Sequence, residues 1–293
     1  MITGIDPDSI VYLNGAYVRL GDAKISVLDR GFIFGDGVYD VVPCYLGQPF
    51  CMDDHLARLE RNLKVIEIET GWSQTDWQQL VLDMLARSGR GADCIVYIQV
   101  SRGPAKRDHA FPAQSEPTIF CMVAPFTRPS KAQRDEGLEV VSIPDKRWLM
   151  CHIKSTSLLG NVLARQQAVE AGVDEVVQFR DGMLTEGASC NIWVVRDGVL
   201  LAPPRDNLIL EGIRYRLIER LAAQCSINFE SRPISKKEVQ TADELMLSSA
   251  TKEVLPIVSF NAQPVGDGQP GPVYKKLRAA YDQEILKLEA QHE

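Results

Sequence analysis

Residues 175–202 read EVVQFRDGMLTEGASCNIWVVRDGVLLA, and this stretch decides the fold class. It holds three short apolar runs, Glu175–Phe179, Ile192–Val195 and Val199–Ala202, each too brief for a helix. Asp181-Gly182 and Asp197-Gly198 punctuate them, and both dipeptides favour the positive φ angles of tight hairpin turns. Short strands joined in this way do not belong to a doubly wound parallel sheet, where helices cross over between strands.

The same reading extends outward. Ile10–Leu13 and Ala16–Leu20 flank Asn14-Gly15, a type I′ turn signal. The glycine-rich run Asp29–Gly37 leads into an expected strand, Val38–Tyr45. Further strands are expected over Cys94–Ser101, Thr118–Ala124, Leu138–Ile143 and Glu244–Ser248. Leu56, Leu59, Leu63 and Ile66 recur at helical spacing and predict a helix over Asp53–Glu69. Other helices are expected over Gln74–Arg87, over Val162–Ala171 with Gly172 as its stop, over Ile213–Ala223, and from Val273 to about Ala290. Many short strands with several helices make an α+β chain. Its 293 residues exceed what one core usually fills. Two domains are expected: a small α+β domain over 1–126, a charged linker over 127–136 that includes Pro129, and a larger domain over 137–293.

Composition narrows the function classes. Hydrophobic residues make up 45% and charged residues 24%, ordinary values for a globular chain. A net charge of −7 leaves no electrostatic footprint for nucleic acid. No run is long enough to span a bilayer, and Met1–Asp8 lacks the basic and apolar regions of a secretory signal, so a cytosolic protein is expected. The seven cysteines are scattered without a C-x-x-C pair, and the four histidines have no metal-ligand spacing, so no metal site is expected. Dinucleotide-binding, Walker and G-x-S-x-G motifs are absent.

Three polar clusters stand in apolar surroundings. Lys154 follows Trp148-Leu149-Met150-Cys151-His152-Ile153, where desolvation would make it a better nucleophile toward an aldehyde. The plainer reading is a lysine that snorkels to solvent. Glu186 lies in Thr185–Asn191 (TEGASCN), as a partner for a buried cation or as part of an ordinary hairpin loop. Gly212-Ile213-Arg214 opens a helix and Ser248–Thr251 follows a strand; both present backbone N–H groups suited to a phosphate, although helix starts are common. A lysine, a carboxylate and two anion nests are together what pyridoxal 5′-phosphate (PLP) chemistry requires.

In order and spacing, seven stretches are similar to the fold-type IV PLP enzymes, the class of branched-chain and D-amino-acid aminotransferases and aminodeoxychorismate lyase. They are DRGFIFGDGVYD (29–40), HLARL (55–59), RDHAFP (107–112), RWLMCHIKS (147–155), LLGNVLA (158–164), TEGASCN (185–191) and NLILEGI (207–213). The chain most resembles the bacterial D-amino-acid aminotransferases, from about Tyr12 to Lys287. The resemblance implies a two-domain fold with PLP in the cleft between domains, and a homodimer. It implies that Lys154 holds the cofactor covalently and shuttles the proton, that Glu186 bonds the pyridine nitrogen, and that Arg58 binds the phosphate. By the same resemblance Ile213, Arg214, Ser249 and Ala250 give the phosphate backbone N–H groups, and Leu210 packs on the ring. Arg58 could equally be a helix-surface arginine, since it lies between Leu56 and Leu59.

Substrate choice is implied for Tyr39, Val41, Arg107 and His109. In the D-amino-acid enzymes a matching tyrosine, arginine and histidine trap the substrate carboxylate, the last two coming from the partner subunit. Alternate residues of an extended loop point the same way, so an R-x-H pair can reach one anion. A solvated basic loop is the plainer alternative, with Lys106 and Asp108 beside them. The implied reaction moves an amino group from a D-amino acid such as D-alanine to 2-oxoglutarate or pyruvate. Alternatives on the same fold are an L-branched-chain aminotransferase, an R-selective amine transaminase and aminodeoxychorismate lyase; a non-catalytic binding protein is more remote. Cys190 and Ala188 stand where close members carry serines, Arg214 and Ala250 where they carry threonines, and Pro43 where a lysine is common.

Overall fold

The structure, a computed structural model, describes residues 5–89 and 91–289; Met1–Gly4, the expected helix end at Ala290, and His292 lie outside them. The chain forms two compact units. One comprises the residues up to Thr127 together with Ile153–Leu158, the other Arg128–His152 and the chain from Leu159 onward. No helix among the described residues is long and apolar enough to cross a membrane.

The first unit begins with the expected hairpin, β1 (Ile10–Leu13) and β2 (Ala16–Arg19), with Asn14 and Gly15 both at positive φ. The glycine-rich run is not an open loop but a short helix, α1 (Arg30–Phe34). Asp29 caps its start by accepting from Gly31 N, and Gly35, at φ 67°, closes it. Then follow β3 (Gly37–Tyr45), β4 (Gln48–Pro49), α2 (Met52–Val65), α3 (Gln74–Ser88), β5 (Cys94–Ser101) and β6 (Thr118–Pro125). The sheet order is β2-β1-β6-β5-β3-β4, antiparallel throughout. Alternation along β3 and β5 sends Val38, Val42, Val96, Ile98 and Val100 into a core with Leu56, Leu59, Trp77 and Met84 of the two helices. Tyr39, Val41, Tyr97 and Gln99 lie on the opposite, half-buried face. Pro43, which lacks a ladder donor, sits where β3 meets the two-residue β4.

α2 ends four residues before the expected Glu69. Glu67 takes a positive φ of 55°, and the Arg102 guanidinium donates to the carbonyls of Ile66 (2.6 Å) and Glu67 (2.9 Å). Arg102 is also paired along its fork with Asp36, at 2.8 and 3.1 Å. A buried guanidinium from a distant strand end thus satisfies the carbonyls of the C-cap Ile66 and of Glu67 just beyond it. Replacing Arg102 with Met should destabilise the protein by about 3 kcal/mol, because the two carbonyls lose their donor and Asp36 keeps only Arg30. The check is a shift of the urea midpoint at unchanged slope.

The second unit opens where a linker was expected. Ser130 and Gln133 form a capping box for α4 (Lys131–Asp135), an S-x-x-Q signal present in the sequence. Arg128 and Arg134 donate to the buried Glu253 at 2.8 and 3.1 Å, so this segment is packed rather than free. Next come β7 (Leu138–Pro144), α5 (Leu159–Glu170), β8 (Glu175–Arg180), β9 (Met183–Leu184), β10 (Asn191–Arg196) and β11 (Val199–Ala202). α6 (Ile213–Gln224), β12 (Phe229–Ser231), α7 (Lys236–Gln240), β13 (Glu244–Ser249), β14 (Glu253–Phe260), β15 (Gln263–Pro264) and α8 (Pro272–Glu289) complete it. The main path of the sheet runs β12-β11-β10-β13-β14-β7-β8-β9, and β15 pairs with β14. It is mixed: β7–β8, β14–β7 and β11–β12 are parallel pairs inside an otherwise antiparallel sheet. Both D-G turns have positive φ at each residue, as the hairpin reading required. Val177, Ile192, Val194, Leu245, Leu247 and Leu255 form the main core, and Ala164 and Ala168 of α5 pack on Ile143 and Val176.

Candidate active site

Lys154 was expected in the larger C-terminal domain, and its segment belongs to the first unit instead. Lys154 O accepts from Tyr39 N (3.1 Å), Ser155 bridges Val38, and Thr156 N donates to Gly37 O (2.9 Å). Residues 153–158 are therefore laid along the start of β3, with Ile153 in that unit's core. The half-buried ammonium lies 4.3 Å from the centre of the Tyr39 ring. Among the described residues no carboxylate lies within ion-pair distance of it. Its sequence neighbours Trp148, Leu149 and Met150 are exposed, so the apolar contact comes from Tyr39 and not from them.

Arg58 is not a surface arginine. It lies on the buried face of α2 with His55, Leu59 and Asn62. Its Nε and Nη2 donate to the two oxygens of Asp40 at 2.9 and 2.8 Å, and His55 Nδ1 is 2.7 Å from the same carboxylate. Asp40 is wholly buried. Burial alone would raise its pKa, yet the charges of Arg58 and His55 hold it well below the usual carboxylate range. A bidentate pair fixes the plane of the guanidinium, which a ligand-binding arginine requires.

Arg107 and His109 are exposed, but they converge. The Arg107 guanidinium lies 5.5 Å, and the His109 ring 5.3 Å, from the centre of the Phe34 ring. Arg30, buried and paired with Asp36 at 2.7 Å, donates to the carbonyls of Asp108 (2.5 Å), His109 (3.4 Å) and Ala110 (3.3 Å). The loop is thus held by its backbone, while both side chains lie near the ring of Phe34. No hydrogen bond or ring contact joins either to Tyr39 among the described residues of this unit. Tyr39 instead neighbours Tyr97, at 5.7 Å between ring centres. Val41 pairs with Tyr97 across the ladder.

In the second unit Glu186 is the centre of a buried network. Arg147 donates to its Oε1, and the Leu210 amide donates to Oε2 at 3.1 Å. Asn191 Nδ2 donates to Leu210 O (2.8 Å), so two side chains fix the segment that carries Leu210. Arg147 is itself held by Asp145, which accepts from its Nε (2.9 Å) and Nη2 (2.8 Å), and Thr185 Oγ1 donates to Asp145 at 2.9 Å. Burial pushes the Glu186 carboxyl above its ordinary pKa, and the Arg147 guanidinium partly offsets this. Arg147 lies within the stretch that also carries Lys154, but nothing in its spacing reveals that Glu186 would be its partner.

The two expected anion nests lie in this unit as well. Gly212 caps α6 without a side-chain contact, and a Cβ there would come within 2.4 Å of Asn191 Oδ1. Glycine thus lets the helix start sit close to the Glu186 network. Ile213 and Arg214 are the first helical residues, whose amides have no intrahelical acceptor by construction. Ser249 ends β13 and its Oγ accepts from Lys252 N (3.0 Å). Arg214 is buried, and its Nη2 lies 3.5 Å from Ala250 O, so its side chain ties one nest to the other.

These features fit a phosphate-bearing pyridine aldehyde. An amine with no acidic partner suits covalent attachment, a buried carboxylate backed by arginine suits a ring nitrogen, and a glycine-capped helix start suits a phosphate.

Comparison with known proteins agrees with the geometry. Residues 37–260 match the amino-transferase class IV family. The chain is 36% identical over 276 residues to a D-alanine aminotransferase of Bacillus licheniformis, covering 94% of this chain and 97% of that one. In fold it is similar to the branched-chain aminotransferase of Escherichia coli, with a TM-score of 0.89 at 23% identity and 94% of each chain covered. It is also similar to a branched-chain aminotransferase complexed with N-(5′-phosphopyridoxyl)-L-glutamate, with a TM-score of 0.86 at 23% identity, covering 95% of this chain and 94% of that one. With a buried carboxylate, a lysine without an acidic partner and a family match over most of its length, the chain belongs to the class IV aminotransferases and is a PLP-dependent transaminase.

Proposed function

We propose that this transaminase acts on D-amino acids such as D-alanine, with 2-oxoglutarate or pyruvate as acceptor, as a cytoplasmic homodimer. The observation that carries the reading is the convergence of Arg107 and His109 on Phe34, their loop held at its backbone by Arg30. An arginine and a histidine held against one ring offer several donors to a carboxylate. The likeness to D-alanine aminotransferases along almost the whole chain supports it. In this reading the pair serves the partner subunit's substrate, and Tyr39 and Val41 line the substrate side of β3.

When bound, PLP supplies an aldehyde carbon that takes up the amino group and a ring that draws electrons from Cα. Lys154 would hold the cofactor and carry the proton that leaves the substrate Cα. Glu186, its carboxylate favoured by Arg147, would bond the ring nitrogen. Arg58, aligned by Asp40, would bind the phosphate, as would the amides of Ile213, Arg214, Ser249 and Ala250. Leu210, anchored by Glu186 and Asn191, would pack on the ring.

The test is a half-reaction screen with D-alanine, L-leucine, L-glutamate and R-1-phenylethylamine, followed by loss of the bound-cofactor absorbance. Turnover of L-leucine with none of D-alanine overturns the D-specific reading. Arg107→Ala should raise the KM for D-alanine by about 10-fold or more, a loss of at least roughly 1.4 kcal/mol of substrate binding, with PLP affinity unchanged. Loss of PLP in that variant would remove the assigned role of Arg107.

A further inference from the structure

One lysine in the second unit, outside the proposed site residues, joins two parts of that site. Lys252 closes the turn of residues 250–252 between β13 and β14. Its backbone N–H donates to Ser249 Oγ at 3.0 Å, so the hydroxyl of the nest residue is held from behind. Its partly buried ammonium pairs with Glu175, the first residue of β8, whose side chain is wholly buried. The other oxygen of Glu175 accepts from Val176 N at 3.0 Å and from Ala188 N at 3.2 Å. Ala188 stands two residues after Glu186. Its carbonyl accepts from Asn161 Nδ2 at 2.7 Å, and Gln178 Nε2 donates to Gly187 O at 2.8 Å.

The next residue ties the turn from its other side. Glu253 is wholly buried and holds a left-handed φ of 54°. It accepts from Arg128 Nε at 2.8 Å, Arg134 Nη2 at 3.1 Å and Arg278 Nη1 at 2.7 Å. A residue other than glycine persists in that conformation only where its surroundings hold it. Within the turn the amides of Ala250 and Thr251 donate to nothing among the described residues. The turn thus presents free donors on a backbone gripped through the two side chains at its end. A plain structural brace between β14 and β8 accounts for the ion pair of Lys252 and Glu175. Those strands are not neighbours, however, because β7 lies between them, so the brace sets no ladder register. Nor does it account for the two ends of the link, which are the nest and the loop of Glu186.

We propose that Lys252 is a positioning residue for the cofactor phosphate. PLP carries its ring nitrogen and its phosphate on one small frame, so the two grips on it must stand at a matching distance. Lys252 and Glu175 set that distance, with the nest at one end of the pair and the Glu186 loop at the other. Without the ammonium, Glu175 is a buried charge that has lost its cation. It then takes up a proton or turns away, and the Ala188 amide loses a charged acceptor. A ligand held at both ends feels this change, and a ligand held only at its ring does not. The proposal rests on the assignment of Ser249 and Ala250 to the phosphate and of Glu186 to the ring nitrogen.

The experiment is equilibrium dialysis of the full-length enzyme against pyridoxamine 5′-phosphate and against pyridoxamine. Neither forms a bond to Lys154, so the two affinities read the grips alone. Lys252→Met should weaken pyridoxamine 5′-phosphate at least tenfold and pyridoxamine less than twofold. Lys252→Arg keeps the charge and should bring the phosphorylated ligand back to within threefold of the wild type. The double variant Glu175→Gln/Lys252→Met leaves no bare buried charge, which guards against a single variant that fails to fold. It should lose the phosphate preference to the same degree. Equal weakening of the two ligands marks a merely structural pair and overturns the positioning role. So does a phosphate preference that Lys252→Met and the double variant leave unchanged. A wild type without any preference for the phosphorylated ligand would instead overturn the phosphate assignment itself, and the proposal with it.

Discussion

Replacing Lys154 with Ala is expected to lower the transamination kcat by about 10⁴-fold, the upper end of what a positioned proton-transferring group contributes. Borohydride should then fail to fix the cofactor on the chain. The size of the effect follows from the surroundings of the amine. It rests 4.3 Å from the Tyr39 ring, and its backbone is held to β3 through Tyr39 N. No other lysine shares that segment, so none can take over the proton transfer. The loss should not be structural. Lys154 is only half-buried and makes no ion pair among the described residues, whereas its neighbour Ile153 supplies the core contact. Single-turnover kinetics with an added amine of matching size provides the check. Partial recovery is the mark of a missing proton carrier, and unchanged activity of the variant would remove Lys154 from the chemistry.

Glu186→Gln is expected to lower kcat by about 10² to 10³-fold, comparable with removing one preorganised electrostatic group from an active site. Glutamine keeps the size and the hydrogen bond but not the charge that holds a ring nitrogen protonated. The pH profile carries the sign. Burial raises the pKa of Glu186 above its ordinary value, against the lowering influence of Arg147. As pH falls through that raised value the carboxylate takes a proton and activity declines, so the acid limb should lie above the ordinary glutamate range. Arg147→Met removes the main lowering influence and should move the limb to still higher pH, with the plateau less affected. An acid limb that stays in place would detach Arg147 from Glu186. Stability follows the same linkage. A carboxyl whose folded pKa exceeds its unfolded one contributes its full stability below the unfolded value and loses it as pH rises through the folded one. Melting at a series of pH values reads this separately from activity.

The proposed site residues sit in contiguous stretches that the sequence already sets apart. TEGASCN lies between two strands, and Gly212 at a helix start needs no tertiary information to be read as a cap. The second partners were not legible. Asp40, which aligns Arg58, sits one position from Tyr39 but on the other face of β3. Arg30, which holds the loop of Arg107 and His109, lies in the glycine-rich run before β3 and is a buried arginine 78 positions from its Asp108 contact. The Ser130–Gln133 capping box was present but hidden among charges that suggested a linker.

The sequence by itself determined the strands and hairpin turns and the α+β class, because alternation, D-G and N-G turns and helix caps are local properties of the chain, whereas Lys154 and Glu186 were singled out by the resemblance. Tertiary structure alone decided where Lys154 belongs. Its flanks on both sides lie in the second unit, yet hydrogen bonds to Gly37 and Tyr39 and the burial of Ile153 draw residues 153–158 into the first. It also decided where α2 stops, since Arg102 arrives from the end of β5 to take the carbonyls of Ile66 and Glu67 that follow its last turn. Which buried charge meets which is set by long-range packing, and no local pattern of residues encodes it.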